Sequence, residues 1–313
     1  MGGDRLLEFG TEVYGRCQRW VARRAANVRG IAVRFSLPSV GASVRSKLRS
    51  AIVLCPGLVE NVDGLPPIPL TLDRRSLRVR YRCAIAQRLA ARLGRSPRAI
   101  ATEIATAWQS HPDLDGRSLA ALTVRSDGSL DLELTDRAIG LWLAAVSGDE
   151  AGLADSGLAV RSDAVFSFAV YHAFARCRSL VAAAEAEGWF DRELLAAGWC
   201  DRAGCLRLGL AAEWRAIVGL VGVIDGLSLE GQGLGAIGKV GQRSDQPNQL
   251  NQLVRLADRL AADFEWLDRH SRPWQAYHTQ DRAMAIVRVG LFQAYARVLH
   301  AVLGLEDVNE SDS

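Results

Sequence analysis

The sequence predicts an α+β N-terminal domain followed by an all-α helical bundle. Three patterns carry that expectation: apolar residues recurring every four positions from Ile85 to Trp108, a period-two alternation on either side of Ser126-Asp127-Gly128-Ser129, and long helical stripes beyond residue 162. At 313 residues the chain is long for one core, because domains typically hold about 100–200 residues. Two domains are therefore expected, 1–146 with its core at about 70–146 and 163–313, joined by a linker at 147–162.

The elements follow in order. Residues 4–29 are rich in helix formers and carry Arg16, Arg19, Arg23 and Arg24 near Trp20, which fits a basic helix on RNA and a solvated face equally well. Residues 36–73 hold Pro38, Pro56, Pro66, Pro67 and Pro69, and short strands and loops are expected there. From Tyr81 the period is helical, with Ile85, Leu89 and Leu93 on one side and Gly94 as the stop. Ser96-Pro97 opens a second helix with serine at the N-cap and proline at the first position, its stripe running Ile100, Ile104, Trp108 and ending before His111-Pro112. A hairpin follows, from Leu122–Arg125 to Leu130–Leu134, with Asp131 and Glu133 on its wet side, and then a helix over 137–146. Gly148, Gly152 and Gly157 lie in the linker. Beyond it, Phe166, Val170, Phe174, Cys177 and Val181 form one stripe, Leu250, Leu253, Ala257, Leu260, Phe264 and Leu267 a second, and Val287, Leu291, Ala294, Val298 and Val302 a third. Such stripes bury most economically against one another, in a bundle.

Composition excludes several classes. Apolar residues at 49% and charged residues at 23% are far from a disordered chain. The longest apolar run, Ala216 to Ile224, falls well short of the roughly 20 residues of a membrane span, so no membrane association is expected. Met1–Arg16 carries Asp4, Glu8 and Glu12 and no apolar core of a signal peptide, and a cytoplasmic location is expected. None of Cys17, Cys55, Cys83, Cys177, Cys200 and Cys205 forms a Cys-x-x-Cys pair, so they read as small buried hydrophobes, with no metal and no cofactor expected.

The net charge of +3 conceals an asymmetry. Residues 1–98 carry 19 basic and 6 acidic side chains, and the remainder 19 basic and 29 acidic. Of the 38 basic residues only Lys47 and Lys239 are lysine; a GC-rich genome accounts for that deficit but not for where the charges lie.

Two patterns imitate other chemistries. Gly233-Leu234-Gly235-Ala236-Ile237-Gly238-Lys239 matches a dinucleotide fingerprint and most of a phosphate-binding loop, yet Val240 stands where Ser or Thr would hold magnesium. The preceding Ala212–Leu227 reads as helix and the following Gln242–Asn251 as polar loop, so an interhelical loop is expected. His270 and His278 flank Trp274 beside Arg269 and Arg272, which suits an RNA face or a solvated helix end.

Several segments together resemble one family. Tyr81–Gly94 (YRCAIAQRLAARLG), Ser96-Pro97-Arg98-Ala99-Ile100-Ala101 and the Leu122–Leu134 hairpin with Gly128 look like the N-terminal additional domain of arginyl-tRNA synthetases. Ala175-Arg176-Cys177-Arg178-Ser179-Leu180, Leu253–Trp274 and Asp281–Leu305 are similar to the same enzymes' DALR anticodon-binding domain. Phe174 replaces the family's histidine, and His172 stands in its tyrosine slot. The family binds ATP with an H-x-G-H sequence and often a K-M-S-K-like loop, and none of His111, His172, His270, His278 and His300 lies in an H-x-G-H pair. About 16 residues separate the two halves, too few for a nucleotide-binding domain. The resemblance thus implies a non-catalytic protein that binds tRNA or another structured RNA. Candidate RNA-binding side chains are Arg74, Arg75, Arg78, Arg80, Arg82, Arg176, Arg269 and Arg272. Residues 147–313, with 16 basic and 22 acidic side chains, suit an alternative role as a protein-interaction scaffold. An accessory chain to a separate catalytic subunit is the third expectation.

Overall fold

The computed structural model describes residues 32–33, 37–58, 65–110, 116–148, 160–161, 166–191, 195, 198–235, 246–279 and 281–303. The expectations for residues 4–29, for His111-Pro112, for most of the 147–162 linker and for Ala236–Lys239 lie outside the described residues. An N-terminal mixed α/β region with a four-stranded open sheet is followed by a largely α-helical C-terminal region. Among the described residues, 39–142 with 200–206 form one compact unit, the sheet unit, and the others form a second, the helical unit.

In the sheet unit the first element is helix α1 (Val40–Val53), where strands and loops were expected. The prolines lie beyond its ends. Ser39 caps it, its hydroxyl accepting from the Ala42 N–H at 3.0 Å, and Val44, Leu48, Ala51 and Ile52 are wholly buried. Strands β1 (Leu70–Leu72) and β2 (Arg80–Cys83) follow. Residues 81–83 are thus strand, and the helical period begins only at α2 (Ile85–Leu93). The side chains show why: Tyr81 and Cys83 are buried and Arg80 and Arg82 point the other way, a period of two within four residues. Leu93 is exposed, so the core face of α2 is Ile85, Ala86, Leu89 and Ala90. Gly94 ends the helix at φ 65°, as its sequence signal predicts.

Helix α3 (Pro97–Ser110) buries Ile100, Ile104 and Trp108, and the Trp108 indole N–H donates to the Ala120 carbonyl at 3.2 Å. A short turn, α4 (Gly116–Leu119), leads into β3 (Ala120–Val124) and β4 (Leu130–Leu134), and then α5 (Asp136–Ser147) begins. The sheet order is β1-β2-β4-β3, antiparallel throughout. One face, with Tyr81, Cys83, Leu122, Leu130, Leu132 and Leu134, is buried, and α3 packs against α1, α2 and β3. The hairpin turns at Gly128, whose φ of 80° admits no other residue comfortably and whose missing Cβ leaves room for Pro97.

The helical unit comprises α6 (Phe168–Ala186), α7 (Ala211–Gly235), α8 (Gln246–Ser271), α9 (Pro273–His278) and α10 (Arg282–Leu303), with a two-residue antiparallel pairing of Ala32–Val33 to Val160–Arg161. Helix α8 packs on α7 and α6, and α10 packs on α6 and α9. The three predicted stripes are its core: Val170, Cys177, Leu253, Ala257, Leu260, Phe264 and Leu267 are buried, and Val287, Leu291, Ala294, Val298 and Val302 are wholly so. Helix α10 is long and apolar enough to cross a membrane, but 78% of its apolar window is buried inside this unit, where it is the central core helix. Residues 246–251 are helix and not the polar loop expected, because Pro247 fits a first helical turn and the periodic stripe extends behind it.

Candidate nucleic-acid interface

The structure divides the eight candidate arginines between the two units: Arg74, Arg75, Arg78, Arg80 and Arg82 in the sheet unit, and Arg176, Arg269 and Arg272 in the helical unit. The first five follow the β1–β2 hairpin. At its tip Asp73 accepts the Arg75 N–H at 3.0 Å and Ser76 accepts the Arg78 N–H at 3.0 Å, two side-chain turns that leave Arg74, Arg75 and Leu77 exposed, Leu77 by 57%.

Arg80 and Arg82 stand on the open face of the sheet, as strand spacing requires, but they are not alone there. The register sets Arg80 opposite Glu133 and Arg82 opposite Asp131. Arg80 bonds Glu133, and Asp131 receives Arg82 Nε at 3.2 Å and Arg125 Nη1 at 2.9 Å. The wet side of the β3–β4 hairpin and the arginine face of β2 are therefore one ladder of alternating charge. Asp131 titrates below its ordinary range although its partial burial acts the other way, because Arg125 and Arg82 bond to it. The hydrogen bond to Glu133 raises Arg80 above its usual value.

Arg78 is also paired, donating to Asp136 at 2.5 Å. The second oxygen of Asp136 accepts the Leu206 N–H at 2.9 Å, which ties the turn at Cys200–Leu206 into the sheet unit. In the helical unit Arg176 pairs with Asp268 at 3.1 Å and Arg269 with Glu265 at 3.1 Å. Arg272 is exposed and adopts φ 42°, the one positive-φ residue other than glycine among the described residues, a conformation that costs about 1–2 kcal/mol.

Trp274 serves the structure: its indole N–H reaches Glu187 at 3.4 Å, Trp189 donates to the same carboxylate at 2.8 Å, and Trp189 stacks on Tyr277 with centroids 4.7 Å apart. An aromatic that the sequence reading passed over is Trp266, 43% exposed, with the His270 ring 4.2 Å away and the Arg215 guanidinium 5.8 Å from its centroid. The signal was available, since position 266 lies off the Leu260-Phe264-Leu267 stripe. The glycine run has a helix before it, not a strand, because α7 extends through Gly235. Among the described residues no group of three His, Cys, Asp or Glu side chains could hold a metal ion. No protein-family model, no curated protein and no solved structure matches the chain.

Proposed function

We propose that the chain is a non-catalytic RNA-binding protein related to arginyl-tRNA synthetases, with tRNA or another structured RNA as its ligand. In this reading the sheet unit corresponds to that family's N-terminal domain and the helical unit to its DALR anticodon-binding domain. The order of the resembling segments supports it, and the observation that carries it is the exposed Arg74-Arg75 tip on a region where residues 1–98 bear a net +13. The test is fluorescence anisotropy of labelled tRNA with the full chain, at salt from about 50 to 200 mM. Binding that weakens steeply with salt and is reduced by Arg74→Ala/Arg75→Ala is expected, with no arginine-dependent exchange between ATP and pyrophosphate. Absence of binding at the low-salt end, to tRNA and to an unrelated structured RNA alike, refutes the proposal.

A second reading, a protein-interaction scaffold, draws on the pairing of Arg78, Arg80, Arg82, Arg176 and Arg269 with carboxylates. A phosphate approaching any of these five must compete with a partner already in place. The scaffold takes the lead if the anisotropy experiment fails.

A further inference from the structure

A groove of about 250 Å³ lies within the helical unit where α9 meets α10, lined by Gln275, Ala276, Thr279, Asp281, Met284 and Arg288. Its size suits one small molecule, since pockets for drug-sized ligands run from about 300 Å³ upward. Asp281 immediately precedes α10, and Met284 and Arg288 follow one turn apart within it, so that one carboxylate and one guanidinium line the same groove.

Arg288 is held from behind. Its Nε donates at 2.7 Å to Oε1 of Glu213, a wholly buried carboxylate whose other oxygen accepts the Gly209 and Leu210 N–H groups at 2.8 Å each. Glu213 is thereby bonded through both oxygens, and no bond within the described residues engages the Nη groups of Arg288. Asp281 spends one oxygen on the Met284 N–H at 3.1 Å. No ion pair joins Asp281 to Arg288.

We propose that this groove binds a free α-amino acid, its carboxylate on the Nη groups of Arg288 and its ammonium on Asp281. The charges select that class. Glu213 already neutralises Arg288, so a lone carboxylate gains a hydrogen-bonding fork without a net positive field, and Asp281 repels it. A lone amine satisfies Asp281 and leaves the fork empty. A zwitterion satisfies both ends, and the side chain of the ligand extends past Met284 and Gln275.

Calorimetric titration of the full chain with each of the twenty L-amino acids tests this, with acetate and ethylamine as half-ligands. At least one amino acid binds and neither half-ligand does. Asp281→Asn keeps a side-chain oxygen for the Met284 N–H, so its thermal midpoint stays at the wild-type value. Its Kd for the amino acid rises about tenfold, the loss of one charge-assisted hydrogen bond. Failure of all twenty to bind overturns the proposal, as does an unchanged Kd in Asp281→Asn or acetate binding as tightly as the amino acid. Because the readout is a small molecule, these results stand apart from those with tRNA.

Discussion

Gly128 and Gly94 both take positive φ, yet they carry different loads. A Cβ on Gly94 would meet nothing within 4 Å, whereas one on Gly128 would lie 2.6 Å from Pro97 Cβ and 2.8 Å from its carbonyl carbon. Gly94→Ala is therefore expected to cost about 1–2 kcal/mol, the left-handed penalty alone. Gly128→Ala adds a collision with backbone that cannot turn aside, and roughly 2–4 kcal/mol is expected in urea unfolding. Equal losses would show that α3 gives way to the hairpin. Asp131 offers a test with pH. Its folded value is lowered, so its stabilisation is complete above the unfolded value of about 3.9 and is lost as pH falls through the folded one. Asp131→Asn is expected to be less stable by up to about 1 kcal/mol at neutral pH, both arginines being half exposed, with the difference closing in acid. A difference independent of pH removes the ladder's carboxylate as its source. The glycine roles were legible, as Asp-Gly between alternating apolar residues and as glycine after a stripe. The partnership of Asp131 with Arg82 was not, because cross-strand register joins residues 49 positions apart.

At the scale of elements, α1 shows what propensity alone misses. Prolines on both sides suggested loops, but a proline outside a helix end is compatible with it, and Ser39 with the stripe Val44, Leu48, Ala51 and Ile52 is a capped amphipathic helix. Ser39→Ala is expected to cost about 1 kcal/mol, read as a lower urea midpoint with unchanged slope. A cost near zero would mean that packing against α3 holds the first turn without its cap. Strand β2 was hidden for a related reason. Only four residues long, it abuts α2 directly, and Tyr81 together with Ile85 completes a helical spacing by coincidence. The long stripes of α6, α8 and α10 were readable because each repeats over several turns, and no short accident survives that length. The end of α7 and the start of α8 were less so. Glycine and polar residues there suspend the stripe before the helix ends.

Across the whole molecule, positive charge is concentrated in the first third, but the fold decides which part of it a phosphate meets. Arg80 and Arg82 are spent in part on Glu133 and Asp131, and the β1–β2 tip exposes Arg74 and Arg75 at the end of a hairpin. Each phosphate neutralised by a cation adds about 0.7–0.9 to the magnitude of the log–log salt slope. Arg74→Ala/Arg75→Ala is therefore expected to lower that magnitude by about 1.4–1.8 if both arginines contact RNA. Arg80→Ala/Glu133→Ala removes one charge of each sign from the ladder and is expected to leave the slope unchanged. The two variants separate the tip from the face within one assay on the full chain. If the paired deletion lowers the slope as much as the tip deletion, the ladder opens when RNA arrives, and the sheet's exposed face becomes the interface. If neither does, while wild type still binds tRNA with a steep salt dependence, the contacts belong to other cations, with Arg176, Arg269 and Arg272 and the six arginines of residues 1–31 the next to be substituted.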